Sequence, residues 1–268
     1  MPTAAPRLVA LDVDGTILDH DGRLSEPVRE SIGAVAGAGN HVVIATGRSV
    51  VATLPVLDRL SLTHGYAVCS NGAVTLTVDP AYESGYSVLE TVTFDPRPAL
   101  ELLRDAWPGA VIAVEEIGLG FKVTAPFPDG ELMADQRVVD WDELVSEPAT
   151  RVTFRAPEGT EADFLGLAER IGLHGVNYAV GYSAWLDINP EGVSKASALE
   201  LVRRRLRVEP SDTVAVGDQR NDLEMLRWAA LGVAMGNAPE EVQQAADEVT
   251  GTVAEDGLVP VLQRVLRG

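Results

Sequence analysis

The sequence predicts an α/β fold: a parallel sheet built from the two ends of the chain, with a separate α+β unit inserted between them. Three observations carry this reading. Residues 1–82 alternate short, continuously apolar runs with stretches of helical period, the pattern of strands joined by crossover helices. Over residues 83–185 the texture changes to shorter and more polar strands. From residue 186 to 268 the strand–helix alternation resumes.

Leu8–Val13 is a continuous apolar run, the mark of a strand buried on both faces. Ser25 is placed to cap a helix whose Val28, Ile32 and Val35 fall at near-helical spacing and which closes at Gly37–Asn40. His41–Ala45 is a second buried strand, with Thr46-Gly47-Arg48 at its carboxyl end and a helix from about Ser49 to Leu60 behind it. Tyr66–Ser70 is a third apolar run, ending in the turn signal Asn71-Gly72. In the middle unit, strands are expected at Ser87–Phe94, Ala110–Val114, Phe121–Thr124, Thr150–Arg155 and Asn177–Val180. Helices are expected there near Pro96–Trp107 and Thr160–Ile171, and Pro126, Pro128 and Asp129-Gly130 mark a loop. After the turn Asn189–Gly192 a helix begins near Ser194 and runs to about Arg207. Thr213–Val216 is a buried strand that ends in Gly217–Asp222, followed by a helix over about Asp222–Ala229. A short strand, Leu231–Ala234, ends at Met235-Gly236-Asn237, and helices near Pro239–Ala246 and Leu258–Leu266 come after it.

Composition excludes several classes of function. A chain of 268 residues, 46% of them hydrophobic, buries a substantial core and is not disordered. Its formal charge of −19 excludes a nucleic-acid partner, which needs a basic footprint, and opposes an anionic membrane surface. One cysteine, Cys69, rules out an internal disulfide and a cysteine-based zinc site, and reads as a small buried hydrophobe. The four histidines are scattered, no two at metal-ligand spacing. No secretory leader or membrane span is evident, so a cytoplasmic protein, monomer or homodimer, is expected.

Chemistry gathers at the strand ends. Asp12 and Asp14, spaced by two where the first strand stops, put two carboxylates on one face of an extended chain. Gly15 permits a sharp exit, and the Thr16 hydroxyl can turn back onto local backbone. Thr46, Asn71 and the Asp218/Asn221/Asp222 group stand at three further strand ends. In an open parallel sheet these ends form one crevice, so residues 200 positions apart are expected in one pocket. Like-charged carboxylates roughly 4 Å apart cost about 4 kcal/mol per pair at an effective dielectric near 20, a cost that a cation removes. Carboxylate oxygens without cysteine or histidine select Mg²⁺ over zinc. A phosphate substrate then needs a fixed cation, and Lys195, one of only two lysines, stands at a helix start where dipole and ammonium both favour an anion.

In order, DVDGT, TGR, SNG, GVSK and GDQRND resemble the haloacid dehalogenase-like (HAD) phosphatases, specifically the Cof-type members with a type IIB cap. About 28 residues separate Thr16 from Ala45, too few for a domain, whereas about 120 separate Gly72 from Lys195. The resemblance implies a Rossmann-like HAD core over 1–82 and 186–268, with an α+β cap of the C2B type at 83–185. It further implies a Mg²⁺-dependent phosphatase for small phosphorylated metabolites, sugar phosphates or similar phosphomonoesters. Asp12 is then the nucleophile that becomes an aspartyl-phosphate, and Asp14 the general acid and base. Mg²⁺ is held by the Asp12 and Asp218 carboxylates and the Asp14 carbonyl. Thr46, the Gly47 and Val13 amides, Lys195 and Asn221 hold the phosphoryl group. Asp222 either orients Lys195 or a metal-bound water, or is an ordinary acid at a helix start. Asn71 and Arg48 match family positions near the pocket. Turn chemistry accounts for Asn71-Gly72 nearly as well, and Arg48 faces either the substrate or a surface acid. Gly236-Asn237-Ala238 and Glu255-Asp256-Gly257 resemble late family signatures, the second assigned a structural role.

The middle unit carries Lys122, Arg137, Arg151, Arg155, Tyr182 and Trp185, none at a spacing that singles it out as a site. Two competing functions share these motifs. One is a phosphotransferase of the phosphomannomutase type, which hands the phosphoryl group to a second sugar hydroxyl. The other is a silent binding module, disfavoured because a non-enzyme needs neither Asp12 nor Asp14.

Overall fold

The computed structural model describes residues 5–128, 130, 132–156, 176–180 and 185–267. They divide into two compact units, one comprising Met1–Gly47, Thr53–Glu90 and Ser194–Gly268, the other Arg48–Ala52 and Thr91–Val193. The chain opens with β1 (Leu8–Leu11), α1 (Glu26–Gly37), β2 (His41–Ala45), α2 (Val50–Leu60), β3 (Gly65–Cys69), β4 (Val74–Val78) and β5 (Tyr86–Thr91). Next come α3 (Arg97–Ala106), β6 (Val111–Glu116), β7 (Gly120–Val123), β8 (Asp135–Val138), α4 (Trp141–Leu144), β9 (Val152–Arg155), β10 (Val176–Val180) and β11 (Trp185–Pro190). The last stretch holds α5 (Lys195–Leu206), β12 (Thr213–Gly217), α6 (Leu223–Trp228), β13 (Leu231–Ala234), α7 (Glu240–Ala245), β14 (Glu248–Val249) and α8 (Leu258–Arg267).

The first unit is organised by an eight-stranded sheet in the order β14-β13-β12-β1-β2-β3-β4-β5. Its pairs from β14 to β3 are parallel, and β4 returns antiparallel to β3. β1 is central and buried at every residue, which is why its sequence, LVAL, is apolar without alternation. Alternate residues Leu8, Ala10, Val43, Ala45, Val68 and Ala215 pack with Ala198, Leu199 and Val202 of α5 and Met225 and Leu226 of α6. Register places the site: Leu11 stands level with Ile44 on one side and Val216 on the other, so β1, β2 and β12 run out together. The parallel α/β class expected from the sequence is the class observed.

The second unit carries a six-stranded sheet in the order β10-β11-β9-β6-β7-β8, antiparallel except between β7 and β8. Ile112, Val114, Val152, Phe154, Leu186 and Ile188 form its core with Leu100 and Leu103 of α3 and Leu144 of α4. Among the described residues, no helix is long and apolar enough to cross a membrane.

Several elements differ from expectation. The first strand stops at Leu11, not Val13, because the Val13 carbonyl turns to accept the amides of Ile17 (2.9 Å) and Leu18 (2.8 Å). β4 pairs antiparallel with β3 across Asn71-Gly72, a turn signal with hairpin character for which the sequence set no strand bounds, and β8, α4 and β14 are too short or too polar to stand out in sequence. Compactness divides the chain at 90/91 and 193/194, where the sequence reading placed 82/83 and 185/186. The shift has a physical cause: β5 is hydrogen-bonded into the eight-stranded sheet, and β11 into the other. The helix expected near Thr160–Ile171 lies outside the described residues, as does Tyr182.

Glu200 links two helices of the core. Its carboxylate accepts Arg203 Nε and Nη2, both at 2.8 Å, Arg204 Nε at 2.6 Å and Trp228 Nε1 of α6 at 3.1 Å. The Arg203 bonds, opposed by partial burial and supported by Trp228 and Arg204, hold its carboxyl well below the usual range. A depressed carboxyl stabilises the fold above its unfolded value and loses that contribution as pH falls toward the folded one. Glu200→Gln is therefore expected to cost about 1–2 kcal/mol at pH 7. Urea unfolding should show that deficit constant above about pH 5.5 and shrinking below about pH 4.3, the ordinary glutamate value.

Candidate active site

The site stands at the carboxyl ends of β1, β2, β3, β12 and β13 in the first unit. Directly after β1, Asp12 is 5% exposed, while the Asp14 side chain is exposed. Gly15 makes this turn possible: its φ is +82°, and a Cβ there would meet Asp218 Oδ2 at 2.2 Å. Gly72, with φ +104°, does the same for the β3–β4 turn, where a Cβ would meet the Ser194 carbonyl oxygen at 2.2 Å. That approach seats the turn on the start of α5, whose N-cap Ser194 and N3 Ser197 cap one another reciprocally.

Lys195, the first residue of α5, is fully buried. Its ammonium donates to Asp12 Oδ1 and to Asp222 Oδ1, both at 2.6 Å. Asp222 Oδ2 accepts the backbone amides of Asp218 and Gln219, both at 2.9 Å, so both its oxygens are occupied. Burial pulls the ammonium toward neutrality, but the Asp12 and Asp222 charges outweigh it and hold Lys195 protonated above its usual range. Asp12 is pushed well above the usual carboxylate range, first by burial and then by Asp222, with Lys195 opposing. Burial and the Asp222 charge push Asp218 up to about 6, and the Asp14 charge adds to the rise.

Carboxylate oxygens of Asp12, Asp218 and Asp222 lie within 4.8 Å of one another, and all three residues are buried. Three carboxylates around one ammonium leave two uncompensated negative charges when ionised, the charge of one divalent cation. Asp218 Oδ2 accepts Gln219 Nε2 at 3.0 Å and Asn237 Nδ2 at 3.1 Å, while its Oδ1 is buried and has no hydrogen-bond partner among the described residues. An orphaned, charged, buried oxygen beside two further carboxylates fits a hard cation. The residues that fit it best are Asp12 and Asp218, since both oxygens of Asp222 already accept hydrogen bonds from Lys195 and from two backbone amides.

Of the other expected residues, Thr46 is buried and its carbonyl accepts the Asn71 amide at 3.1 Å. Asn71 adopts φ +54°, and its Oδ1 accepts Asn221 Nδ2 at 2.9 Å. A Cβ on Gly47 would meet that Asn71 oxygen at 2.9 Å, so Gly47, Asn71 and Asn221 are neighbours. Thr16 Oγ1 and Asn221 Oδ1 are buried and, among the described residues, have no hydrogen-bond partners, as is true of Asp218 Oδ1. Val13 is fully buried. Arg48 belongs to the second unit, where its Nη1 donates to the Ala52 carbonyl at 3.4 Å. Two residues given no role from sequence touch a predicted metal ligand: Gln219 and Asn237, both through Asp218 Oδ2. Asn237 stands in Gly236-Asn237-Ala238, the segment that resembles a late family signature, at the end of β13.

A family model described as haloacid dehalogenase-like hydrolase matches residues 9–105 and 139–262. The chain belongs to the haloacid dehalogenase-like hydrolases. It is 30% identical to a phosphoglycolate phosphatase of Methanoculleus marisnigri, with 96% of each chain covered. Its structure resembles that of BT1666, a HAD-superfamily phosphatase of Bacteroides thetaiotaomicron, with TM-score 0.80, 30% identity and coverage of 99% and 97%. The HAD subclass IIB sugar phosphatase BT4131 shares the fold, with TM-score 0.81, 24% identity and coverage of 96% and 98%. The chain is thus an enzyme of the HAD phosphatase type.

Asp218 supplies a test of the cation reading. Because folding raises its pKa, its ionised form costs stability in the metal-free protein, a cost that grows as pH rises through about 6. Asp218→Asn removes that charge while its carbonyl can still accept from Gln219 and Asn237. Metal-free Asp218→Asn should melt at or above the wild type at pH 7. Mg²⁺ at a hundred times its Kd should stabilise the wild type by about 2.7 kcal/mol and leave the variant unmoved. Calorimetry with and without Mg²⁺ reads both effects.

Proposed function

We propose that this hydrolase releases phosphate from small phosphorylated metabolites in the cytoplasm, sugar phosphates or similar phosphomonoesters, with Mg²⁺ as cofactor. The observation that carries the reading is the buried Lys195 ammonium on Asp12, with Asp218 Oδ1 left open beside it. The carboxylates of Asp12 and Asp218, with the Asp14 carbonyl, would hold Mg²⁺, which supplies positive charge to the transferring phosphoryl oxygens and offsets the carboxylates' mutual repulsion.

In this reading Asp12 is the nucleophile. Its carboxylate oxygen attacks phosphorus, the bond to the leaving oxygen breaks, and Asp14 delivers the proton that the departing alkoxide needs. Asp14, now ionised, takes a proton from water as that water attacks the aspartyl-phosphate. The phosphorus–Asp12 bond breaks, phosphate leaves and Asp12 is restored. The exposure of Asp14 suits a group that must reach both the leaving oxygen and incoming water. Lys195, fixed by two carboxylates, opposes the upward push that burial and Asp222 exert on Asp12 and holds that carboxylate oriented, and its charge faces the phosphoryl group without reorganisation. Asn221, Thr46 and the amides of Gly47 and Val13 complete the phosphoryl pocket. The substrate class rests on relatives whose names include phosphoglycolate and sugar phosphatases, both of which act on small phosphomonoesters.

A panel of phosphorylated metabolites, assayed for phosphate release, tests this reading. Asp12→Asn is expected to lower kcat by at least about 10³-fold with its melting transition intact, and Asp14→Asn by about 10²–10⁴-fold. Chelation should silence the wild type and Mg²⁺ restore it. Free phosphate as product supports the phosphatase. An isomerised sugar formed from a hexose 1-phosphate with a bisphosphate activator would instead mark a mutase.

A further inference from the structure

Asn237 occupies a junction that the proposed chemistry does not use. Its Nδ2 donates to the Gly15 carbonyl at 2.9 Å and to Asp218 Oδ2 at 3.1 Å, and its Oδ1 accepts the Val253 amide at 2.8 Å. Gly15 O can only accept and Val253 N can only donate, so the amide has a single orientation that satisfies its partners. One neutral side chain thus ties together the turn after β1, the carboxylate after β12 and the segment before α8. That segment is braced in turn: Thr250 Oγ1 donates to the Gly257 carbonyl at 2.6 Å, and Gly236 N to the Gly251 carbonyl at 3.0 Å.

We infer that Asn237 is a positioning residue for divalent-cation binding: it holds Asp218 Oδ2 so that Oδ1 is the oxygen offered to the ion. The inference rests on the metal-dependent reading above. With Gln219 Nε2 at 3.0 Å on the same Oδ2, that oxygen is satisfied from within the protein, and Oδ1 is the atom left open. A donor that is neutral suits the task. An ammonium or guanidinium at 237 would neutralise Asp218 and compete with the cation, whereas an amide fixes rotation without spending the carboxylate's charge. Partners of this kind behind a metal ligand typically contribute about 10–100-fold in metal affinity.

The isosteric variant Asn237→Asp separates positioning from packing. It keeps the shape and the acceptor for Val253, but turns an acceptor toward Gly15 O and Asp218 Oδ2. Asn237→Ala removes both donors and the bulk. Mn²⁺ binding to metal-free protein, monitored by the electron paramagnetic resonance of free Mn²⁺, is the direct readout. The Mg²⁺ concentration for half-maximal phosphate release is the second. Asn237→Ala is expected to raise the Mn²⁺ Kd and the half-saturating Mg²⁺ by at least about 10-fold, and Asn237→Asp by as much or more. Substrate KM at saturating Mg²⁺ should move by less than about threefold, and both variants should keep a cooperative melt. The inference is overturned if Asn237→Asp binds Mn²⁺ like the wild type, or if both variants lose substrate affinity and keep metal affinity. A wild type that binds no Mn²⁺ would overturn the metal-dependent reading itself, which distinguishes that failure from this one.

Discussion

One buried ammonium organises the site. Lys195 is fully enclosed and bonded at 2.6 Å to Asp12, 183 positions earlier in the chain, and to Asp222, 27 positions later. A lysine in that position is costly alone, and so are two carboxylates; each is tolerable only because the other is there. The pair therefore binds the first and last thirds of the chain into one site. Asp218 tips the balance, since a third carboxylate exceeds what one ammonium can compensate. Burial first and then the Asp222 charge raise its pKa, and its Oδ1 has no hydrogen-bond partner among the described residues.

The sheet brings Asp12, Lys195 and the Asp218–Asp222 turn together although these three parts of the chain are far apart in sequence. β1, β2 and β12 run parallel and in register to the same level, so the turns leaving these strands emerge on one side. Nothing in the arrangement requires a long-range field to attract substrate, and a chain of charge −19 has none to offer an anion. Attraction has to be local: a capped helix start carrying Lys195, backbone amides in turns, and the buried polar atoms of Thr16 and Asn221 that have no hydrogen-bond partner among the described residues.

Much of this was readable in the amino-acid order, for identifiable reasons. Continuous apolar runs such as LVAL and HVVIA can only be strands covered on both faces, and they dictate a parallel sheet. The spacing of Asp12 and Asp14 and the turn Gly217–Asp222 announced themselves because carboxylates at strand ends are seldom idle. Other features leave no such mark. β8 is an exposed edge strand, DQRV, with no buried face to set a pattern. β4 comes after a turn whose left-handed Ser70 and Asn71 look the same whether or not a strand is next. Gly236-Asn237-Ala238 is recognisable as a motif, but it names no partner for Asn237, whose three hydrogen bonds depend on residues 15, 218 and 253 arriving from elsewhere. The saturation of Asp222, and hence its difference from Asp12 and Asp218, is likewise a matter of three-dimensional bonding rather than residue type.

The claim on which all of this turns is that Lys195 is the counter-charge that lets buried carboxylates coexist in the folded chain. Its most direct measurement is the unfolding free energy of metal-free Lys195→Met in urea at pH 7, beside the metal-free wild type. Removing one partner from a buried ion pair of this kind leaves its carboxylates uncompensated, and a loss of about 3–5 kcal/mol is the expected result. A Lys195→Met protein as stable as the wild type would contradict it, because the carboxylates would then be shown to need no ammonium at all.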